Sequence, residues 1–384
     1  MKTINVALIG YKFMGRAHSN AYRQAAAFFD LPAKPVLKVL VGRDQAAAQQ
    51  VADQFGWEEV ATDWRQVVER CDVDLIDIAS PGNTHRDIAL AAAQCGKHIL
   101  CEKPLANTLE EAKAMWYAAE EANVVNMVNF NYRRTPAVAL AKQMIEAGEI
   151  GEIRQWRSAY LQDWIIDPAF PLVWRLQSAI SGSGALGDIG AHSLDLARYL
   201  VGEIEAVTSL TKTFITERPL ATATTGLSAT GGSTRGPVTV DDAAIWLAKF
   251  AGGAIGTFEA TRMAPGRRNY NHFEISGSKG SLGFNFERMN ELEFYRHDDP
   301  AGRQGWRTIQ ATEPSHPYVS AWWPAGHGLG YEHTFTHAVA DLCKAIAEGG
   351  KASPDFADGA KTQAVLEAIL RSAKSGAWEK TSMA

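Results

Sequence analysis

The sequence predicts an α/β chain in two parts: a doubly wound parallel sheet, then an α+β region with a large, mostly antiparallel open sheet. Three observations carry this reading. Through the first third of the chain, short β-branched runs alternate with helical periodicity, and strands apolar on both faces belong to a parallel sheet covered by helices. After about Ile150 the rhythm changes to strands joined by Gly-containing turns, the pattern of hairpins. Finally, 384 residues suffice for two domains, and 46% hydrophobic with 21% charged residues is globular composition.

In the first part, "INVALIG", "PVLKVLV", "DLIDIAS", "HILCEKP" and "VVNMVNF" read as strands. "THRDIALAAAQCGK" and "TLEEAKAMWYAAEEAN" read as helices, the second opened by a capping box of Thr108 with Glu111 three residues on. This alternation places a Rossmann-type domain over 1–130. In the remainder, 131–384, "EIRQWRSAYLQDW", "AAIWLAKFAGGAIGTFEATRM", "HFEISGSKGSLGFNF", "ELEFYRH" and "WRTIQAT" read as strands and hairpins. The Gly, Ser and Thr stretch from Ala221 to Pro237 predicts a mobile surface loop. "YEHTFTHAVADLCKAIAEGG" and "DFADGAKTQAVLEAILRSAKSG" predict two helices that pack back on the body.

A net charge of −5 gives no footprint for nucleic acid or an anionic membrane, so small-molecule chemistry is the default. The N-terminus runs directly into the first strand with no signal-peptide pattern, and no segment is apolar enough to span a bilayer. Cys71, Cys95, Cys101 and Cys343 are scattered without metal-type spacing, which fits a reducing cytoplasm. His333 and His337 lie four apart beside Glu332, but the order is not H-E-x-x-H and no third ligand is evident, so no metal is expected.

The first turn reads Gly10-Tyr11-Lys12-Phe13-Met14-Gly15. Of the three glycine roles in a dinucleotide fingerprint, the tight turn (Gly10) and close helix packing (Gly15) are kept. The middle glycine is Lys12, whose ammonium offers phosphate by charge what bare backbone offers by contact. The pair follows a strand and opens a helix, where a helix N-terminus holds pyrophosphate. The tip of the second strand carries Arg43, which suits a ribose 2′-phosphate, and Asp44, which suits a free 2′-hydroxyl, leaving NAD and NADP both open. On the carboxyl edge of the sheet lie Ser80, Pro81, Asn83 and His85 of "SPGNTH", Glu102 and Lys103 of "CEKPLA", and Asn131. Further on, "GSGALGDIGAHSLDLARYLVG" sets Asp188 and His192 four apart at a helix start among small residues that admit a ligand.

In the order of these blocks the whole chain resembles the Gfo/Idh/MocA oxidoreductases, with Glu-Lys-Pro and Asp-x-x-x-His after a glycine cluster as the specific matches. Lys12 departs from the glycine most members carry. The resemblance implies that Lys103, Asp188 and His192 form the catalytic group, with Lys103-Pro104 a cis peptide. It implies oxidation of a secondary hydroxyl with hydride passing to NAD or NADP, His192 taking the hydroxyl proton, Lys103 polarising the oxygen and Asp188 orienting a hydroxyl or the base. A homodimer or homotetramer paired through the open sheet is implied as well.

Substrate contacts are expected from Tyr132 and Arg133 of "NFNYRRTP", from Tyr160, Gln162, Asp163 and Trp164, and from Arg175. Several hydroxyl partners beside an aromatic wall suit a cyclic polyol or sugar, and these stretches look most like members that oxidise levoglucosan or inositols. Two other readings stand beside the dehydrogenase: a glycosidase that uses bound nicotinamide transiently, and a non-catalytic dinucleotide sensor.

Overall fold

A computed structural model describes residues 2–225 and 228–383. The first part comprises β1 (Lys2–Ile9), α1 (Phe13–Phe28), β2 (Ala33–Val41), α2 (Gln45–Phe55), β3 (Glu59–Ala61), α3 (Trp64–Val68), β4 (Leu75–Ile78), α4 (His85–Gln94), β5 (His98–Cys101), α5 (Leu109–Glu121) and β6 (Asn126–Val128). The strands pair in parallel in the order β3-β2-β1-β4-β5-β6, a Rossmann sheet whose chain reversal lies between β1 and β4. The all-apolar character of its centre follows from burial on both faces: Val6 to Ile9 and Leu75 to Ile78 are buried throughout, Asp77 included. The capping box at Thr108 is formed as the sequence predicts, its hydroxyl accepting from Glu111 N at 3.2 Å. The short edge strand β3, in "EEVAT", was not singled out from the sequence.

The chain then continues through α6 (Pro136–Glu146), β7 (Ile153–Leu161), α7 (Ser178–Ser181), α8 (Ala191–Leu200), β8 (Ile204–Lys212), β9 (Glu217–Thr225), β10 (Ser228–Pro237), β11 (Ala243–Phe250) and β12 (Ile255–Thr261). It ends with β13 (Tyr270–Gly277), β14 (Gly280–Asn285), β15 (Glu291–Arg296), β16 (Arg307–Gln310), α9 (Tyr331–Glu348), α10 (Phe356–Ser375) and β17 (Glu379–Lys380). Nine of these strands form one sheet, β16-β15-β14-β13-β7-β12-β11-β8-β17, in which β7 and β12 pair in parallel and the other described pairs are antiparallel. One face packs on α8 and α10, and strict alternation shows it: Ala244, Trp246, Ala248 and Phe250 of β11 are buried, and the residues between them are not. The two C-terminal helices do pack back, α9 on α1 and α10 on α5 and β8.

The stretch 221–237 corrects the sequence expectation of a loop: β9 and β10 pair as an antiparallel ribbon, with Gly226 and Leu227 outside the described residues. Glycine and serine signalled a turn, but the β-branched threonines favour extended backbone. Thr222 Oγ1 lies 3.1 Å from both the carbonyl oxygen and the hydroxyl of Thr230 across the ribbon. No described helix is long and apolar enough to cross a membrane.

Candidate active site

A cavity of about 840 Å³ runs from the β1–α1 turn along the carboxyl edge of the parallel sheet to the start of α8. Every residue expected to touch cofactor or substrate lines it except Gly15, Asp44, Arg133 and Asp163. At one end, Gly10 holds φ at +118°, and a Cβ there would lie 2.6 Å from the Ala79 carbonyl oxygen. Gly15 packs the helix onto the turn so closely that a Cβ would meet the Gly10 carbonyl oxygen at 2.0 Å; it supports the site without lining it. Lys12 occupies the N-cap position, no side chain caps α1, and its first turn carries no acid. An uncapped helix end with a positive dipole therefore faces the cavity through Lys12, Phe13 and Met14. These residues fit a dinucleotide pyrophosphate.

Asp44 and Arg43 separate in role. The Asp44 carboxylate caps α2, accepting from Ala47 N at 3.1 Å, and does not line the cavity, whereas Arg43 does. Along the sheet edge His85 is buried between two loops, Nε2 2.9 Å from the Ser80 carbonyl oxygen and Nδ1 3.1 Å from that of Leu105, and the neutral ring donates to one of the two. Asn131 lines the cavity while donating to Thr334 Oγ1 at 2.8 Å. The Lys103–Pro104 peptide is cis.

At the far end, Lys103, Asp188 and His192 converge. Lys103 Nζ donates to the Asp188 carbonyl at 2.5 Å and to Oδ1 at 3.2 Å. The other carboxylate oxygen accepts from Arg262 Nη2 at 2.7 Å, and Arg175 Nε lies 4.0 Å away. A π-helical turn over Leu186–Gly190 presents Asp188 and leads into α8, which carries His192. Burial alone would raise the Asp188 carboxyl, but the cations of Lys103, Arg262 and Arg175 outweigh it and hold it well below the usual carboxylate range. It stays an anion. Its side chain is 30% exposed through the cavity, so solvent screens part of that attraction.

His192 stacks on Tyr132 at 4.3 Å between ring centres, and neither ring nitrogen hydrogen-bonds another described residue. Burial first, and the Lys103 cation second, push its pKa well below the ordinary histidine value. The ring is neutral near pH 7 and free to accept a proton. From Tyr132 a chain of polar groups on aromatic rings continues along the cavity. Tyr132 and Tyr160 hydroxyls lie 2.9 Å apart, Tyr160 and Gln162 donate to Asn269 Oδ1 at 2.7 and 3.0 Å, and Trp164 donates to Gln162 at 3.1 Å.

Two expected substrate contacts point elsewhere. Arg133 leaves the cavity for a buried ion pair with Asp195, Nε to Oδ2 at 2.8 Å, and stacks over Tyr199. Asp163, just past β7, does not line the cavity and accepts from Gly266 N at 3.1 Å and Arg268 Nη1 at 3.2 Å. The histidine pair of α9 has other partners as well: His337 accepts from Trp322 Nε1 at 2.8 Å and bonds the Arg134 carbonyl, and His333 accepts from Gly330 N at 2.9 Å. Arg262, Asn269 and Tyr331 line the cavity without having been foreseen. A strand-ending arginine in "FEATRM" was the one available signal for them.

Comparison with known proteins identifies the family of the chain. Residues 4–130 match the oxidoreductase family with an NAD-binding Rossmann fold, and residues 138–283 match the GFO/IDH/MocA C-terminal domain. A levoglucosan dehydrogenase of Pseudarthrobacter phenanthrenivorans is 50% identical over 98% of each chain. A scyllo-inositol 2-dehydrogenase (NAD(+)) of Bacillus subtilis is 34% identical over 61% of this chain and 62% of its own. A solved levoglucosan dehydrogenase in complex with NADH and L-sorbose superposes with a TM-score of 0.95, at 49% identity and full coverage of both chains. Matched in both halves and along its whole length, the chain belongs to the GFO/IDH/MocA family of NAD-binding oxidoreductases.

Proposed function

We propose that this protein oxidises a secondary hydroxyl of levoglucosan or a closely related pyranose or cyclic polyol, with Lys103, Asp188 and His192 as the catalytic group. The observation that carries the reading is the convergence of an anchored ammonium and a neutral, unbonded imidazole at one end of a cavity whose other end fits a dinucleotide. The bound nicotinamide supplies the hydride acceptor. The protein's own part is proton handling and orientation. Lys103 uses two of its three protons on Asp188, and the third is left for the substrate oxygen. His192 takes the hydroxyl proton as negative charge develops on that oxygen. Tyr160, Gln162 and Asn269 offer donors and acceptors for the remaining hydroxyls, and Trp164 an apolar face. The 50% identity to a levoglucosan dehydrogenase supports the sugar class.

The test is turnover: purified protein with either dinucleotide against levoglucosan, inositols and free hexoses, followed by nicotinamide absorbance. Reduction with levoglucosan or an inositol is expected. Sugar release without net reduction would replace this reading with a glycosidase, and cofactor binding with no turnover would replace it with a sensor.

The solved relatives are bound to NADH, which supports NAD, while Arg43 on the cavity wall supports NADP, since Asp44 is committed to its helix. Arg43→Ala is expected to lower kcat/KM for NADP by about tenfold while leaving that for NAD within about threefold. Equal losses with both cofactors in steady-state kinetics would remove Arg43 from the choice.

The outer face of the large sheet supports self-association through a second copy. Leu210 and Ile245 are paired across β8 and β11, and with Leu247 and Ile255 they make an exposed apolar strip over three adjacent strands. Leu247→Glu is expected to shift the sedimentation coefficient toward a smaller species; an unchanged coefficient would put the interface elsewhere.

A further inference from the structure

Beneath Lys103 lies a charged cluster that the cavity chemistry above leaves unused. His18 of α1 is buried between two carboxylates, Nδ1 at 2.8 and 3.0 Å from the Asp77 oxygens and Nε2 at 2.8 Å from Glu102 Oε1. Tyr22 donates to Asp77 at 2.8 Å, and Asn129 donates to Glu102 Oε1 at 2.7 Å. A ring with both nitrogens on carboxylate oxygens carries both protons. Burial alone would lower its pKa, but Asp77 and Glu102 outweigh burial and lift it to about 10. Glu102 mirrors this: burial raises its carboxyl, and the bond and charge of His18 draw it below the ordinary value. The second Glu102 oxygen accepts from the backbone N–H of Lys103 at 3.2 Å, the same residue whose ammonium reaches Asp188.

We propose that His18 is a positioning residue for Lys103: a fixed cation clamped by Asp77, it keeps Glu102 ionised and turned onto the Lys103 backbone, and so sets the lysine in the cavity. The proposal rests on the reading that Lys103 acts in alcohol oxidation. Of the groups facing the cluster, Lys103 is a second cation that lowers Glu102, but less than His18 does, and its ammonium is hydrogen-bonded to Asp188 rather than to Glu102. Burial raises Tyr22, Cys101, Tyr132, Tyr331 and Cys343 and lowers His85, so all six are neutral near pH 7. Without His18, two buried carboxylates face each other, and one takes up a proton.

The experiment is His18→Gln in the full-length protein, read in two ways. In wild type the acid limb of kcat/KM set by His192 lies below about pH 6.5, the ordinary histidine value, because the base is needed neutral and its pKa is lowered. In the variant kcat is expected to fall about tenfold at pH 7 with KM little changed, and a new acid limb to enter between about pH 6 and 8. In protein labelled with ¹⁵N-lysine, the Lys103 amide signal is expected to titrate in that same window, where wild type is flat. A folded variant with a flat amide signal and an unchanged profile overturns the proposal. Should the single variant not fold, His18→Gln with Asp77→Asn keeps the wild-type charge of the cluster; burial still raises Glu102 without its cation, so the same two readouts are expected, displaced toward lower pH because the second carboxylate is gone. A Lys103 amide that titrates in a protein inactive on every sugar would sink the substrate reading and keep the clamp.

Discussion

Lys103→Ala is expected to lose about 10³-fold in kcat/KM for the sugar while NADH affinity, read by fluorescence, stays within about threefold. The size follows from where the ammonium sits. It is mostly withdrawn from solvent, with 14% of its side chain exposed, and two of its contacts are fixed on the Asp188 carbonyl and carboxylate. A donor pre-aimed in such a place needs no reorganisation as charge develops on the substrate oxygen, and its interaction is stronger than in water. Removing it also leaves Asp188 with one cation fewer, so the orientation of the site suffers along with its electrostatics. The cofactor cradle is formed at the other end of the cavity by backbone of α1, which the substitution does not touch. Loss mainly in KM with kcat intact would assign Lys103 to uniform binding, and full activity would remove it from the chemistry altogether.

The parts of this site that were legible in the sequence are those a short segment encodes. Gly10 and Gly15 mark a strand-to-helix turn, and Asp188 and His192 lie one turn apart among glycines, so each local block declares itself. Tyr160, Gln162 and Trp164 are two apart and all line the cavity, whereas Asp163 between them is taken up by Gly266 N and Arg268. Arg133 could not be assigned in the same way, because the 3₁₀ turn Asn131–Arg134 turns neighbouring side chains apart, Tyr132 to the cavity and Arg133 to Asp195. Arg262 comes to Asp188 from 74 residues away through the packing of the Leu186–Gly190 turn on β12, which no periodicity announces. His18 sits on the buried stripe of α1 with Gly15, Ser19 and Tyr22. A histidine on such a stripe signals a buried partner, but only the parallel pairing of β1, β4 and β5 shows that the partners are two carboxylates.

Asp188→Asn is expected to lower kcat/KM by about 10²-fold and to lower Tm by a few degrees, because the carboxylate is the common anion of three cations. Arg262 is the least forgiving of them. It is fully buried, its Nη2 is held by Asp188 and the Gly184 carbonyl, and its Nε and Nη1 have no partner among the described residues. Asparagine offers one acceptor and turns an NH₂ donor toward either Lys103 or Arg262, so one cation loses its partner in a low-dielectric site. A fully buried pair broken this way costs about 3–5 kcal/mol, but the cavity admits solvent to Asp188, so about 1–3 kcal/mol is the fairer expectation. The pH dependence has a definite sign. The folded carboxyl is held below its ordinary value, so its stabilisation is complete above about pH 4 and is lost as pH falls further. The Tm gap between wild type and variant should therefore be constant around neutrality and narrow below about pH 4 in calorimetry. Asp188→Ala adds a discriminating arm, since it leaves room for a small carboxylate: formate at about 0.1 M is expected to recover part of the lost rate by restoring the anion between Lys103 and Arg262. No recovery with formate, together with an unchanged Tm in Asp188→Asn, would mean that cavity solvent satisfies the cations and that Asp188 acts on the substrate alone.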